Sequence, residues 1–176
     1  MCDYDIALSF SMEEKDLVEQ VYHYLRAEGI SVFFAPAPEC QEVLSGRNQR
    51  EVFYEIFGLK AENVALFVSP SYLTRKVTME ECEIALSKHC LDGKVIPIYL
   101  DGAELPRTLF DSSLTNYFKP NVKSAIEIAV HLAGKINNKN ARIAKVEEKS
   151  NNTMHVSNNS AEKMIVVQKI EGNISL

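Results

Sequence analysis

Apolar and polar positions follow two rhythms along this chain. Residues 4 to 10, YDIALSF, form a short apolar run rich in strand-forming side chains that breaks off into polar SMEE, which predicts a first strand. From Glu13 to Glu28 the apolar side chains Leu17, Val18, Val21, Tyr22 and Leu25 recur at helical spacing, and Gly29 supplies a helix stop. ISVFF at 30–34 predicts a second strand. Residues 35 to 46 contain Pro36 and Pro38 and show no periodicity; they are expected to form a long loop whose length makes it a functional candidate. Arg47 to Leu59 carries Val52, Phe53, Ile56 and Phe57 on one face of a second helix.

NVALFVS at 63–69 is apolar almost throughout, as a central strand covered on both faces should be. A helix is expected over 77–89, then a strand, KVIPIYL at 94–100, between the turn dipeptides Asp92-Gly93 and Asp101-Gly102. A short edge strand at 114–118 and a last helix over 124–136, with Ala125, Ile128, Ala129 and Leu132 inward, complete the series. Strands alternating with helices in this order imply an α/β fold, a parallel sheet with helices on both faces and functional groups at the carboxyl ends of the strands. The expected domain spans 1–136. Residues 137–162, rich in Asn, Lys and Ser, read as a linker, and 163–176 regain strand character around Met164 to Val167. That end segment packs on the domain or serves assembly and partner docking.

Composition narrows the class. The chain has 176 residues, 46% hydrophobic and 24% charged, the balance of one globular domain with extras. No apolar run approaches the ~20 residues of a membrane span, and MCDYDIALSF lacks the basic start of a signal peptide. A cytoplasmic protein with no membrane partner is expected. The net charge of −5 argues against nucleic acid as a partner. Cys2, Cys40, Cys82 and Cys90 form no C-x-x-C pair, and His23, His89, His131 and His155 are scattered, so no metal site is expected. The sequence has neither G-x-G nor G-K-[ST], which removes the dinucleotide-fold and P-loop readings. A phosphate-receiver domain would end its third strand on aspartate, where this chain has Ser69.

RKVTMEECEIALSKH at 75–89 contains Glu80, Glu81 and Glu83. Stepping about 100° per residue groups Glu80 and Glu83 with Ser87 on one narrow polar face. Glu81 falls instead between Ala85 and the pair Val77 and Ile84, within an apolar arc. A carboxylate there loses hydration and must find partners or shift its pKa, as catalytic acids do. Thr78-Met79-Glu80-Glu81 also fits the capping box T-x-x-E, with Glu81 reaching back to the Thr78 amide. Both readings stand at this level, and they need not exclude one another.

YDIALSF with its acidic follow-on, ISVFF before a long segment, EVLSGRNQREVFYEIF, VALFVSPSYLTRKVTMEECEIAL and VIPIYLD together resemble the TIR domain, particularly its bacterial branch, over roughly residues 3 to 135. The family's S-x-x-Y falls on Ser69 and Tyr72, and its W-C-x-x-E-L-x-x-A helix places W on Val77, C on Thr78, E on Glu81 and A on Ala85. The resemblance implies a flavodoxin-like domain that cleaves the nicotinamide–ribose bond of NAD+ with Glu81 as the catalytic residue. NAD+ is then the substrate and no separate cofactor is needed. The products are nicotinamide and ADP-ribose or a cyclic ADP-ribose signal, with antiphage defence as the expected setting. The resemblance further implies substrate contacts from Ser9, Phe10 and Ser11 at the first strand's end and from Leu44, Arg47 and Tyr72, with Arg47 near the diphosphate. Self-association through TIR–TIR contacts and an effector or sensor partner are also expected. The family's other mode is a non-enzymatic adaptor, including interference with host TIR signalling. Two departures from the pattern stand out: Val77 replaces the tryptophan, in a chain without any Trp, and Ala35 replaces an acidic residue after the second strand.

Overall fold

The computed structural model describes residues 3–89, 93–113 and 115–138. Strand β1 (Tyr4–Phe10) leads through a single 3-10 turn (Met12–Glu14) into helix α1 (Lys15–Ala27), and β2 (Val32–Phe33) follows. Helices α2 (Pro38–Leu44) and α3 (Gln49–Glu55) and a π turn (Ile56–Lys60) precede β3 (Ala61–Val68). Then come α4 (Pro70–Thr74), α5 (Lys76–His89), β4 (Val95–Tyr99) and a helix over 125–138, here α6. The strands form one parallel sheet in the order β2-β1-β3-β4.

That order explains the layers. The chain moves outward from β1 to β2, then crosses back over β1 to β3 and continues to β4. Right-handed crossovers in opposite directions lay α1 on one face and α3 and α5 on the other. β3 is one of the two inner strands, with Val64, Ala65, Leu66, Phe67 and Val68 all at 0% exposure, so its continuous apolar run reflects cover on both faces. On α1 the buried stripe is Val18, Val21 and Leu25. The helix stops at Gly29, whose φ of +77° lets its amide and that of Ile30 bond back to Arg26 and Leu25; this is a Schellman ending, which a side chain would strain.

Three expectations are corrected. The segment expected as a loop over 35–46 contains the two-turn helix α2. Pro38 lies in its first turn, where the missing N–H costs nothing. Buried Cys40, a 2.7 Å bond from Tyr22 Oη to Glu39 and a 2.6 Å bond from Gln41 to the Ala35 carbonyl anchor it. The helix expected over Arg47–Leu59 is α3 closed by a π turn, which puts Ile56 and Phe57 into the core and Gly58 against α5, where an added Cβ would lie 3.4 Å from Ile84. The expected edge strand at 114–118 is reduced to one bridge, Phe118 beside Ile98.

Residues up to Ala133 pack as one compact unit, and a second begins at Gly134, of which 134–138 are described and helical. The remainder of the expected linker and the strand-like segment at 163–176 lie outside the described residues. Among the described residues no helix is long and apolar enough to cross a membrane.

Candidate active site

β1 ends at the carboxyl edge of the sheet with Ser9 opposite Leu66 and Phe10 opposite Phe67 of β3, so the ladder fixes both side chains. At the same edge β3 gives way to Ser69, whose hydroxyl accepts from the Tyr72 amide and starts α4. The turn from α4 into α5 is tied by Thr78, whose Oγ1 donates to the carbonyls of Tyr72 (2.6 Å) and Arg75 (3.0 Å). Thr78 therefore lies inside α5, not at its N-cap, because the helix begins two residues earlier at Lys76. The capping-box alternative for Glu81 is not realised.

Glu81 is 7% exposed and turns to β1 instead: Ser9 Oγ donates to its Oε2 at 2.6 Å. Ser9 Oγ is also 2.8 Å from the Tyr72 hydroxyl. Since the single Ser9 proton is committed to Glu81, Tyr72 is the donor in that second bond. The result is a directed chain, Tyr72 to Ser9 to Glu81, with Tyr72 and Ser69 wholly buried and Ser9 1% exposed. Among the described residues Oε1 of Glu81 has no hydrogen-bond partner. Burial pushes the Glu81 carboxyl up to about 7, against a smaller lowering by the Ser9 bond. Burial likewise raises the Tyr72 hydroxyl well above its ordinary range and the Cys82 thiol to about 12, so neither ionises near neutrality.

Two cavities meet at this carboxylate. The larger, about 330 Å³, is lined by Asn48, Gln49, Arg50, Phe53, Val77, Glu80, Glu81 and Ile84. The smaller, about 240 Å³, holds Phe10, Ser11, Met12, Ala35, Pro36 and Arg75 and shares Gln49, Phe53, Val77 and Glu81 with the first. Phe10 stacks on Phe34 at 5.4 Å, and Phe34 on Tyr22 at 5.0 Å, so a three-ring stack backs the smaller cavity. At its rim Arg75 pairs with Glu13 at 2.6 Å; the Ser11 hydroxyl and then Arg75 hold that carboxyl down to about 2. Glu80 and Glu83 keep the wet face read from the sequence, Glu80 bridging to Arg50.

The residues expected to line the site thus separate into three groups. Phe10, Ser11 and Glu81 line the cavities. Ser9 and Tyr72 lie behind Glu81 and touch its hydrogen-bond chain rather than open space. Leu44 ends α2, and Arg47 is engaged with Glu55 at 2.6 Å; neither contributes to the lining of the two cavities. The sequence reading missed Asn48, Gln49, Arg50 and Phe53 as a wall. One signal is available in the sequence: Phe53 belongs to the apolar face of the second helix, and residues three and four before it share that side. Among the described residues no cluster of His, Cys, Asp or Glu can hold a metal ion.

The family model for the TIR domain matches residues 6–126. Among curated proteins, the 3' cyclic ADP-D-ribose synthase AaTIR of Aquimarina amphilecti is 28% identical over 137 residues, covering 76% of this chain and 40% of that protein. Among solved structures, a metazoan TIR-STING receptor from C. gigas aligns with a TM-score of 0.59 at 18% identity, over 77% of this chain and 40% of the receptor. The same receptor in complex with 2',3'-cGAMP aligns with a TM-score of 0.56 at 15% identity, over 75% and 40%. At such identities the likeness to the receptor is one of fold alone. The chain spans about 40% of the length of these relatives.

Proposed function

The chain belongs to the TIR domain family, and from that premise we propose that it cleaves the nicotinamide–ribose bond of NAD+, with Glu81 as the catalytic residue. The observation that carries this reading is the buried Glu81 carboxylate, held through one oxygen by Ser9 and opening on two cavities. A curated relative is named as a 3' cyclic ADP-D-ribose synthase, a product that cleavage of this bond followed by ring closure would give.

The chemistry follows from charge. When the C1'–N bond breaks, its electron pair returns to the pyridinium nitrogen and nicotinamide leaves neutral, so positive charge passes to the ribose ring. A carboxylate fixed beside that ring in a dry cleft stabilises the developing charge more than it could in water. Glu81 then accepts the proton of the incoming nucleophile, since a group that titrates near 7 is a matched base at neutral pH. Water as nucleophile gives ADP-ribose; a hydroxyl or the adenine of the same substrate gives a cyclic product. Phe10, already stacked on Phe34, forms a flat apolar wall for the nicotinamide ring in the smaller cavity.

Purified protein incubated with NAD+ at high protein concentration, beside Glu81→Gln, tests the reading by nicotinamide release. Release by the wild type alone is the expected result. Equal release by both removes Glu81 from the chemistry, and release by neither removes the enzymatic function. The second reading is a TIR–TIR interaction module. It is favoured by a stripe of exposed Val122, Ile126 and Val130 at 70, 54 and 66% exposure, an apolar surface suited to self-association.

A further inference from the structure

We propose that Arg50 binds the substrate's diphosphate and that Glu80 holds it in reserve until the substrate arrives. The inference rests on the dinucleotide chemistry proposed above, and its starting point is which charges line which cavity. The larger cavity contains one cation, Arg50, and two carboxylates, Glu80 and Glu81. Glu81 is assigned to the positively charged end of the molecule, where the pyridinium and later the ribose cation form. With nicotinamide against Phe10 in the smaller cavity, where Arg75 is held by Glu13, the diphosphate falls to the larger one and meets Arg50, which can serve only by leaving Glu80.

The geometry makes that exchange inexpensive. Arg50 reaches Glu80 with both Nε, at 3.1 Å from Oε2, and Nη2, a forked arrangement that fits a phosphate equally well. The arginine side chain is 68% exposed, so the bridge is of the kind that contributes little net stability. Glu80 is not abandoned when Arg50 turns, because Lys76 Nζ stands 3.9 Å from its Oε1, one helical turn earlier on α5. The arginine's backbone is meanwhile fixed, its amide donating to Asn48 Oδ1 at 3.0 Å at the start of α3. Only the side chain has to move. Arg47, the residue expected for this role from the sequence, lines neither cavity, whereas Arg50 lines the larger one.

Titration calorimetry with ADP-ribose, which has the diphosphate but no scissile nicotinamide bond, tests the proposal without turnover. Arg50→Gln is expected to weaken ADP-ribose binding about tenfold or more, the loss of one charge-assisted contact. Glu80→Gln is expected to tighten it severalfold, because the arginine is released. Structural damage would weaken both variants, so the opposite directions are the signature. Unchanged binding in Arg50→Gln, unchanged or weaker binding in Glu80→Gln, or no ADP-ribose binding by the wild type overturns the proposal. Failure here with nicotinamide release intact leaves the enzymatic reading standing. The calorimetric signature without nicotinamide release leaves the site a binding site and removes the enzyme.

Discussion

Ser9 and Glu81, 72 positions apart in the chain, are joined by a 2.6 Å hydrogen bond inside the protein. It ties the carboxyl edge of β1 to the second turn of α5 and decides which oxygen of the carboxylate is engaged. Three measurable consequences concern this bond and the cleft around it, and a fourth concerns the far side of the same sheet edge.

Glu81 destabilises the fold when it is ionised. Its folded pKa of about 7 lies above the ordinary 4.5, so its favourable contribution is complete below 4.5 and is lost as pH rises through 7. Glu81→Gln, neutral at every pH and still able to accept from Ser9, is expected to stabilise the protein by up to about 3 kcal/mol at pH 8 and by almost nothing at pH 4. Urea titrations at the two pH values check this. A less stable variant at pH 8 would show that the carboxylate is not desolvated as described.

For nicotinamide release, kcat/KM is expected to rise about tenfold per pH unit below 7 and then level off, following the ionised fraction of Glu81. The Ser9 bond lowers the Glu81 pKa, so Ser9→Ala should move that limb to higher pH as well as lowering the plateau. A plateau that falls with no displacement of the limb would mean that Ser9 does not touch the titration of Glu81.

Val77 is 48% exposed and lines both cavities. Val77→Trp extends a flat ring over the cleft from a position with room to hold it, and KM for NAD+ is expected to fall severalfold. Thermal stability should change by less than about 0.5 kcal/mol, as for other exposed substitutions. An unchanged KM would show that the substrate does not pass this rim.

Lys123 is the brace of the opposite side of the sheet edge. Its Nζ lies 2.8 Å from Glu14, which is 6% exposed, and 2.7 Å from Asp101 in the turn after β4. Lys123→Met leaves Glu14 buried without its cation, at a cost of about 1–3 kcal/mol in urea unfolding. Lys123→Arg should recover most of it.

The isolation of Glu81 was legible because angular position on a helix is a local property: its neighbours at 77, 84 and 85 are apolar whatever the rest of the chain does. Its hydrogen-bond partner was not legible, since no local pattern couples a strand-end serine to a helix carboxylate. That Ser9 and Tyr72 would be buried in Glu81's hydrogen-bond chain was not legible either, because a strand-end side chain can point to the cleft or into the core and only the packing of α5 decides. α2 escaped notice for a different reason: two prolines suppress the helical signal, and the helix is held by a bond from Tyr22 on α1 and a local one from Gln41 to the Ala35 carbonyl.

By itself, then, the sequence determined the four strands and their alternation with the longer helices, the inner place of β3, the stop at Gly29 and the odd glutamate among three, all consequences of periodicity and backbone preference over a few residues. Tertiary structure alone decided that Arg50 rather than Arg47 reaches the cleft and that Ser9 holds Glu81. It also put Glu80 against Arg50. These are contacts between elements, and their selection depends on how the helices dock over the sheet, which no local pattern contains.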